Sequence, residues 1–106
     1  MPTHSKKPDK YVKQVLARLR TTYQASHPQA CIDAYRYNWG SIRVRIIDPD
    51  FTGLTPAERE KLIREVLDTL PEDPREEIHV LLLLTPEEAK TSLMNQEFEA
   101  PTPTRL

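Results

Sequence analysis

Residues Ser41-Ile42-Arg43-Val44-Arg45-Ile46-Ile47-Asp48-Pro49-Asp50-Phe51-Thr52-Gly53-Leu54-Thr55-Pro56-Ala57-Glu58 decide the fold. Apolar and polar residues alternate from Ile42 to Ile46, the period of a strand with one buried face. Asp48 to Leu54 reads as a turn, and Thr55-Pro56-Ala57-Glu58 as a capping box with proline at the first helical position. Leu62, Ile63, Val66, Leu67 and Leu70 continue as the buried stripe of a helix that stops at Pro71. Glu72 to Glu76 reads as a charged loop and Ile78 to Leu84 as an almost wholly apolar strand. A strand, a helix and a second strand in this order form a crossover. The two strands are therefore expected to lie parallel, with a right-handed connection.

On the N-terminal side of this unit, Asn38-Trp39-Gly40 has the length and the glycine of a three-residue hairpin loop. Folding about it pairs Tyr37 with Ser41, Tyr35 with Arg43, Asp33 with Arg45 and Cys31 with Ile47. The other face then pairs Ala34 with Val44 and Ile32 with Ile46. Arg36 falls on the apolar side opposite Ile42, where its stem can pack and its head can reach water. Before the hairpin, Asp9 reads as the N-cap of a helix whose Val12, Val15, Leu16, Leu19 and Tyr23 recur at helical spacing and which ends before Pro28. After the last strand, Thr85-Pro86-Glu87-Glu88 repeats the capping-box pattern and starts a short helix to about Asn95. The expected architecture is α+β: helix, strand, strand, helix, strand, helix, with a three-stranded mixed sheet and helices packed on one face. Residues 1–8 are expected to be a disordered lead-in, residues 9–98 a single domain and residues 99–106 a flexible tail.

The 106 residues fit one small domain. A single cysteine, Cys31, rules out an internal disulfide framework and suits a reducing compartment, and no apolar run is long enough for a signal peptide or a membrane span. A soluble, cytoplasmic protein with no membrane partner is expected. The net charge of −1 conceals a split of +7 over residues 1–45 against −8 over residues 46–106, which folding is expected to mix over one surface.

Several stretches together resemble the BolA family. Val44 to Ile47 running into Asp48-Pro49-Asp50-Phe51-Thr52-Gly53 resembles that family's strand and Phe-x-Gly turn. Arg59 stands where the family has the first arginine of its Arg-His-Arg segment, while Glu60 and Lys61 replace the rest. Ile78-His79-Val80 is similar to its histidine-bearing strand, Leu84-Thr85-Pro86-Glu87-Glu88 to the exit into its last helix, and Phe98-Glu99-Ala100-Pro101 to its end. The resemblance implies a fold similar to class II KH domains. It also implies a non-enzymatic role as partner of a monothiol glutaredoxin or cluster-transfer protein in iron-sulfur cluster handling or related regulation. It implies His79 as a cluster or metal ligand, and Phe51, Gly53, Arg59, His79, Leu81 and Leu83 as the partner surface. The family's second ligand, a histidine or cysteine in the hairpin loop, has no counterpart in Asn38-Trp39-Gly40. The chain alone is therefore expected to hold no cluster, and a cluster shared with a glutaredoxin is the cofactor the resemblance allows.

Alternation along the third strand sends Ile78, Val80, Leu82 and Leu84 one way and His79, Leu81 and Leu83 the other. The odd-numbered set is expected on the open side, covered by the segment around Phe98, by a second copy of the chain or by a partner. The even-numbered set is expected to pack beneath Leu62, Val66 and Leu70.

Other features carry less chemistry. Tyr35, Tyr37, Trp39, Arg43 and Arg45 interleave aromatic and guanidinium groups, which can stack bases and neutralise phosphates. This supports an alternative reading as a KH-like nucleic-acid-binding or transcription-regulating module, although Gly53-Leu54-Thr55-Pro56 supplies only the first glycine of a Gly-x-x-Gly clamp. Asp48-x-Asp50-x-Thr52-Gly53 imitates the start of an EF-hand, but Arg59 occupies the twelfth position, where calcium needs a bidentate glutamate. Cys31 reads as a small packing residue. No nucleophile motif, phosphate loop or metal-ligand cluster marks an enzyme.

Overall fold

The computed structural model describes residues 9–101; the lead-in expected for residues 1–8 and most of the expected tail lie outside them. The elements are α1 (Lys10–Arg18, continued by a wider π-turn over Leu19–Tyr23), β1 (Cys31–Asn38), β2 (Ser41–Ile47), α2 (Pro56–Leu67), α3 (Glu72–Glu76), β3 (Ile78–Leu84), α4 (Pro86–Ala89) and α5 (Leu93–Glu99). The sheet order is β1-β2-β3, with β1 antiparallel and β3 parallel to β2. This is the expected α+β fold with a three-stranded mixed sheet.

The helix starts follow from local chemistry. Asp9 accepts hydrogen bonds from the N–H groups of Tyr11 and Val12, both 3.1 Å, and also pairs with Arg36, whose other partner is Glu77 at 2.8 Å. The N-cap thus ties α1 to the hairpin and to the start of β3. Thr55 and Thr85 each complete a capping box, with Glu58 and Glu88 respectively. Glu72 to Glu76, expected as loop, closes one short helical turn after Pro71, with acidic residues at the N-terminal end where the peptide dipoles favour them.

The hairpin register is the expected one from Cys31–Ile47 to Arg36–Ile42, but Asn38 pairs with Ser41 across a bulge. The turn is therefore Trp39-Gly40 rather than three residues, with Gly40 at φ 81°, a conformation open to glycine. One sheet face presents Ile32, Ile42, Val44, Ile46 and Ile78 to Val15, Leu19, Tyr23, Ile63, Leu67 and Leu70 in a single core. At about 25 cal/mol per Å² of apolar area buried, this layer is the main favourable contribution to folding.

Two expectations need correction. In β3 the register shifts between the pair Ile42–Ile78 and the pair Arg43–Val80, so His79 is an extra residue against β2. A bulge of this kind reverses the alternation beyond it. Val44 is level with Leu81 and Ile46 with Leu83, so Leu81 and Leu83 pack on the core side, while Val80 and Leu82 share the side of Arg43 and Arg45. The expected open set of His79, Leu81 and Leu83 is thus broken up, and only His79 stands exposed.

The last helix is the second difference. It breaks after Ala89 and restarts at Ser92, whose hydroxyl caps the N–H of Asn95 at 3.0 Å. The new helix, α5, lies across the face of the sheet opposite α1 and α2 and seats Phe98 edge-on against Tyr35, ring centroids 4.7 Å apart. Of the covers considered for that face, the C-terminal segment is the one observed. Glu99, expected in the tail, ends this helix and pairs with Arg45.

Phe98→Ala should lower the unfolding free energy by about 2–4 kcal/mol, and substituting the neighbouring exposed Leu93 by serine by no more than about 0.5 kcal/mol. Urea unfolding of the two variants tests the outer layer; equal, small effects would mean that α5 contributes nothing.

Candidate functional site

β3 is an edge strand, and its free side is bordered by the N-terminal turns of α2 and α4. The two capping boxes aim those turns at the same place. One turn into α2, Arg59 is buried and donates from Nε to the Leu54 carbonyl and from Nη1 to the Leu83 carbonyl, both 3.1 Å. Both its terminal nitrogens grip Glu88, at 2.6 and 3.1 Å, and its guanidinium stands 5.6 Å from the ring of buried Phe51. Glu88 Oε1 also accepts the Thr85 N–H at 3.0 Å, so one carboxylate caps α4 and holds α2 to it. The Leu83 carbonyl accepts from Arg59, away from β2, while that of Leu84 accepts from Asp48 N–H beside β2. Alternation of the strand then turns the backbone groups of Leu81 to the open edge as well.

Along that edge runs a groove of about 510 Å³ lined by Leu81, Leu83, Pro56, Glu60, Arg59 and Thr91, among others. Of the residues singled out in the sequence, Arg59, Leu81 and Leu83 meet here. Phe51 is buried beneath Arg59, and Gly53, at φ 87°, makes the turn into α2. His79 does not line the groove; it is exposed at the other end of β3. The hydrogen bond and charge of Arg59 hold Glu88 down to about 2, and Glu88 in turn raises Arg59.

An iron-sulfur cluster needs several thiolate or imidazole ligands. Cys31 is exposed, not packed as expected, because the odd-numbered side of β1 turns away from the core at the strand's start. It belongs to the row Cys31–Ile47–Leu84, whereas His79 follows the row of Arg36, Ile42 and Ile78. Five or six residues of strand separate these ends, about 17–20 Å. With no cysteine or histidine in the Trp39-Gly40 turn, the described residues offer one imidazole there and do not fit a resident cluster.

The Tyr/Arg face is engaged within the fold. Arg43 donates to the Tyr35 hydroxyl at 3.1 Å and to Glu97 at 3.2 Å, and lies 3.4 Å from the Tyr37 ring centroid. Arg45, nearly buried, donates to Asp33 at 2.7 Å, to Asn95 at 2.8 Å and to Glu99, and stacks 4.5 Å from the Phe98 ring. The cations that phosphate binding would need thus already have carboxylate partners. Trp39 alone of the five aromatic and basic residues is fully exposed, at the hairpin tip.

One cluster was not legible in the sequence. His27, in the loop after α1, meets Asp48 and Asp50 from the turn after β2. His27 Nδ1 is 2.8 Å from Asp50 Oδ2 and 3.7 Å from Asp48 Oδ2. Its ring stacks on Tyr23 at 4.1 Å, and the Tyr23 hydroxyl donates to Asp48 at 2.6 Å. Burial and this carboxylate push the Tyr23 phenol far above its ordinary range. The two acids showed as a turn motif, but nothing local ties them to a histidine more than twenty residues earlier.

No family model matches the sequence, and no curated protein matches it. Among solved structures, the fold is similar to that of BolA1 from Arabidopsis thaliana, with a TM-score of 0.48 and 17% identity over 76% of this chain and 98% of that one. Among the described residues, no helix is long and apolar enough to cross a membrane.

The Arg59–Glu88 clamp makes stability depend on acid. Because folding lowers the Glu88 pKa from 4.5 to about 2, its contribution is present above about pH 4.5 and is lost as pH falls toward 2. The Glu88 side chain is 46% exposed, so solvent screening limits the contribution to about 1 kcal/mol. Glu88→Gln should therefore be less stable than the natural chain at pH 7 and equal to it near pH 2 in urea unfolding; a constant difference would refute the assignment.

Proposed function

We propose that this chain is a non-enzymatic interaction protein that docks a protein partner along the free edge of β3. The observation that carries the reading is the groove beside Leu81 and Leu83, at a strand edge with a sheet neighbour on one side only. An edge of this kind takes up an extended segment through backbone hydrogen bonds, with apolar side chains adding contact area. The Arg59–Glu88 clamp keeps one end of the edge shaped and rigid, and Glu60 adds an exposed charge that can select the partner.

The resemblance of the strand, turn and histidine segments to BolA proteins names the partner class: a monothiol glutaredoxin, or a cluster-transfer protein of that kind, in iron-sulfur cluster handling. The cluster is then cargo shared between two proteins. This chain contributes the exposed His79, and the partner side supplies the remaining ligands, since one imidazole cannot retain a cluster.

Co-expression with a monothiol glutaredoxin, followed by size-exclusion chromatography and visible spectroscopy, tests both levels. A heterodimer is expected, weakened about tenfold by Glu60→Arg. His79→Ala should leave the heterodimer in place and alter its cluster absorption. Self-association of the chain in place of heterodimer formation, or no complex at high micromolar concentration, would overturn the glutaredoxin partnership. An unchanged spectrum in His79→Ala would remove the ligand role.

A further inference from the structure

The cluster of His27, Asp48 and Asp50 lies at the opposite end of the sheet from His79, next to Leu84, whose carbonyl accepts the Asp48 N–H at 2.9 Å. We infer that these three residues form a binding site for one divalent transition-metal ion of the zinc class. Their ligand atoms all lie within 4.8 Å of one another. Around a tetrahedral zinc with bonds of 2.0–2.2 Å, ligand atoms stand about 3.3–3.6 Å apart. The separations of 2.8 and 3.7 Å from His27 Nδ1 to the two carboxylates bracket that spacing. For the two pairs that include His27, changes of about 0.5 Å or less reach that spacing.

The surroundings fit the same chemistry. Asp48 is completely buried, and its hydrogen-bond donors are neutral: the Tyr23 hydroxyl on Oδ2 and the Asp50 N–H, 2.9 Å away, on Oδ1. Among the described residues, the only basic partner of Asp48 and of Asp50 is His27. Two carboxylates, one of them shut away from water, thus converge on a single imidazole. The donors around them have the form of an outer shell. Tyr23 orients Asp48 through its hydroxyl and His27 through its ring, stacked at an interplanar angle of 10°.

The donor set selects the ion. One nitrogen and two carboxylate oxygens are too few and too mixed for calcium, which takes six to eight oxygens, whereas imidazole with carboxylate suits zinc and its neighbours. Nδ1 is the nitrogen aimed at the acids, so on binding it offers its lone pair and the ring proton sits on Nε2. Asp50 and the His27 ring are partly open to solvent, which leaves a coordination position facing outward for water or for a donor from another molecule.

The test uses the full chain, zinc sulfate in calorimetry, and cobalt(II) as a visible reporter of coordination geometry. One zinc per chain is expected, with a rise in melting temperature on zinc addition. Asp50→Asn and His27→Gln should each weaken zinc binding at least about tenfold and abolish that rise, while His79→Ala leaves both unchanged. Asp50 is the most exposed ligand, so Asp50→Asn remains informative if His27→Gln does not fold. Absence of zinc binding to the natural chain, binding that survives Asp50→Asn, or binding lost in His79→Ala would each overturn the site. None of these outcomes bears on the partner groove.

Discussion

β2 is the strand with a neighbour on each side, and its alternation dictates both faces of the molecule. Ile42, Val44 and Ile46 enter the helix-covered core with no exposure, so Arg43 and Arg45 must point the opposite way from the middle of a three-stranded sheet. Two guanidinium groups there cannot be left without partners once anything covers them. The cover that forms is therefore acidic and aromatic together: α5 brings Asn95, Glu97 and Glu99 to the charges and Phe98 to the apolar surface between them. Burial alone would disfavour the Arg45 cation, but its hydrogen bonds to Asp33 and Glu99 outweigh that effect and raise its pKa.

That cover leaves the free side of β3 as one of the two edges, with that of β1, at which the sheet ends. Arg59 occupies part of it by taking the Leu83 carbonyl, which covers one backbone acceptor of the edge and shapes one end of the groove. Arg59 is thus first a structural residue. Its buried guanidinium joins the turn at Leu54, the edge at Leu83 and the start of α4 at Glu88, and so ties the groove's two walls together.

The two histidines of the described fold take different surroundings from the same sheet. His79 is exposed where the bulge in β3 places it, at the hairpin end of the strand. His27 is stacked, oriented and faced by two carboxylates at the other end. Their chemistry differs because metal sites depend on how many donors converge, and convergence is a property of the fold rather than of the residue.

The amino-acid sequence alone determined the order of α1, the three strands, α2 and α4, the hairpin pairs from Cys31–Ile47 to Arg36–Ile42, the parallel crossover and the capped starts of those three helices, because period, turn chemistry and capping act over a few residues. It also brought out Arg59, Leu81 and Leu83, which the fold gathers at one groove. Only the tertiary structure decided which way Leu81 and Leu83 face, since a single extra residue at His79 reverses the strand's phase and no local pattern marks it. It likewise decided that α5 folds back to pair Arg43 and Arg45 with acids about fifty residues later in the chain. The meeting of His27 with Asp48 and Asp50 was decided in the same way, by packing Tyr23 against Phe51, a contact between segments that are remote in sequence.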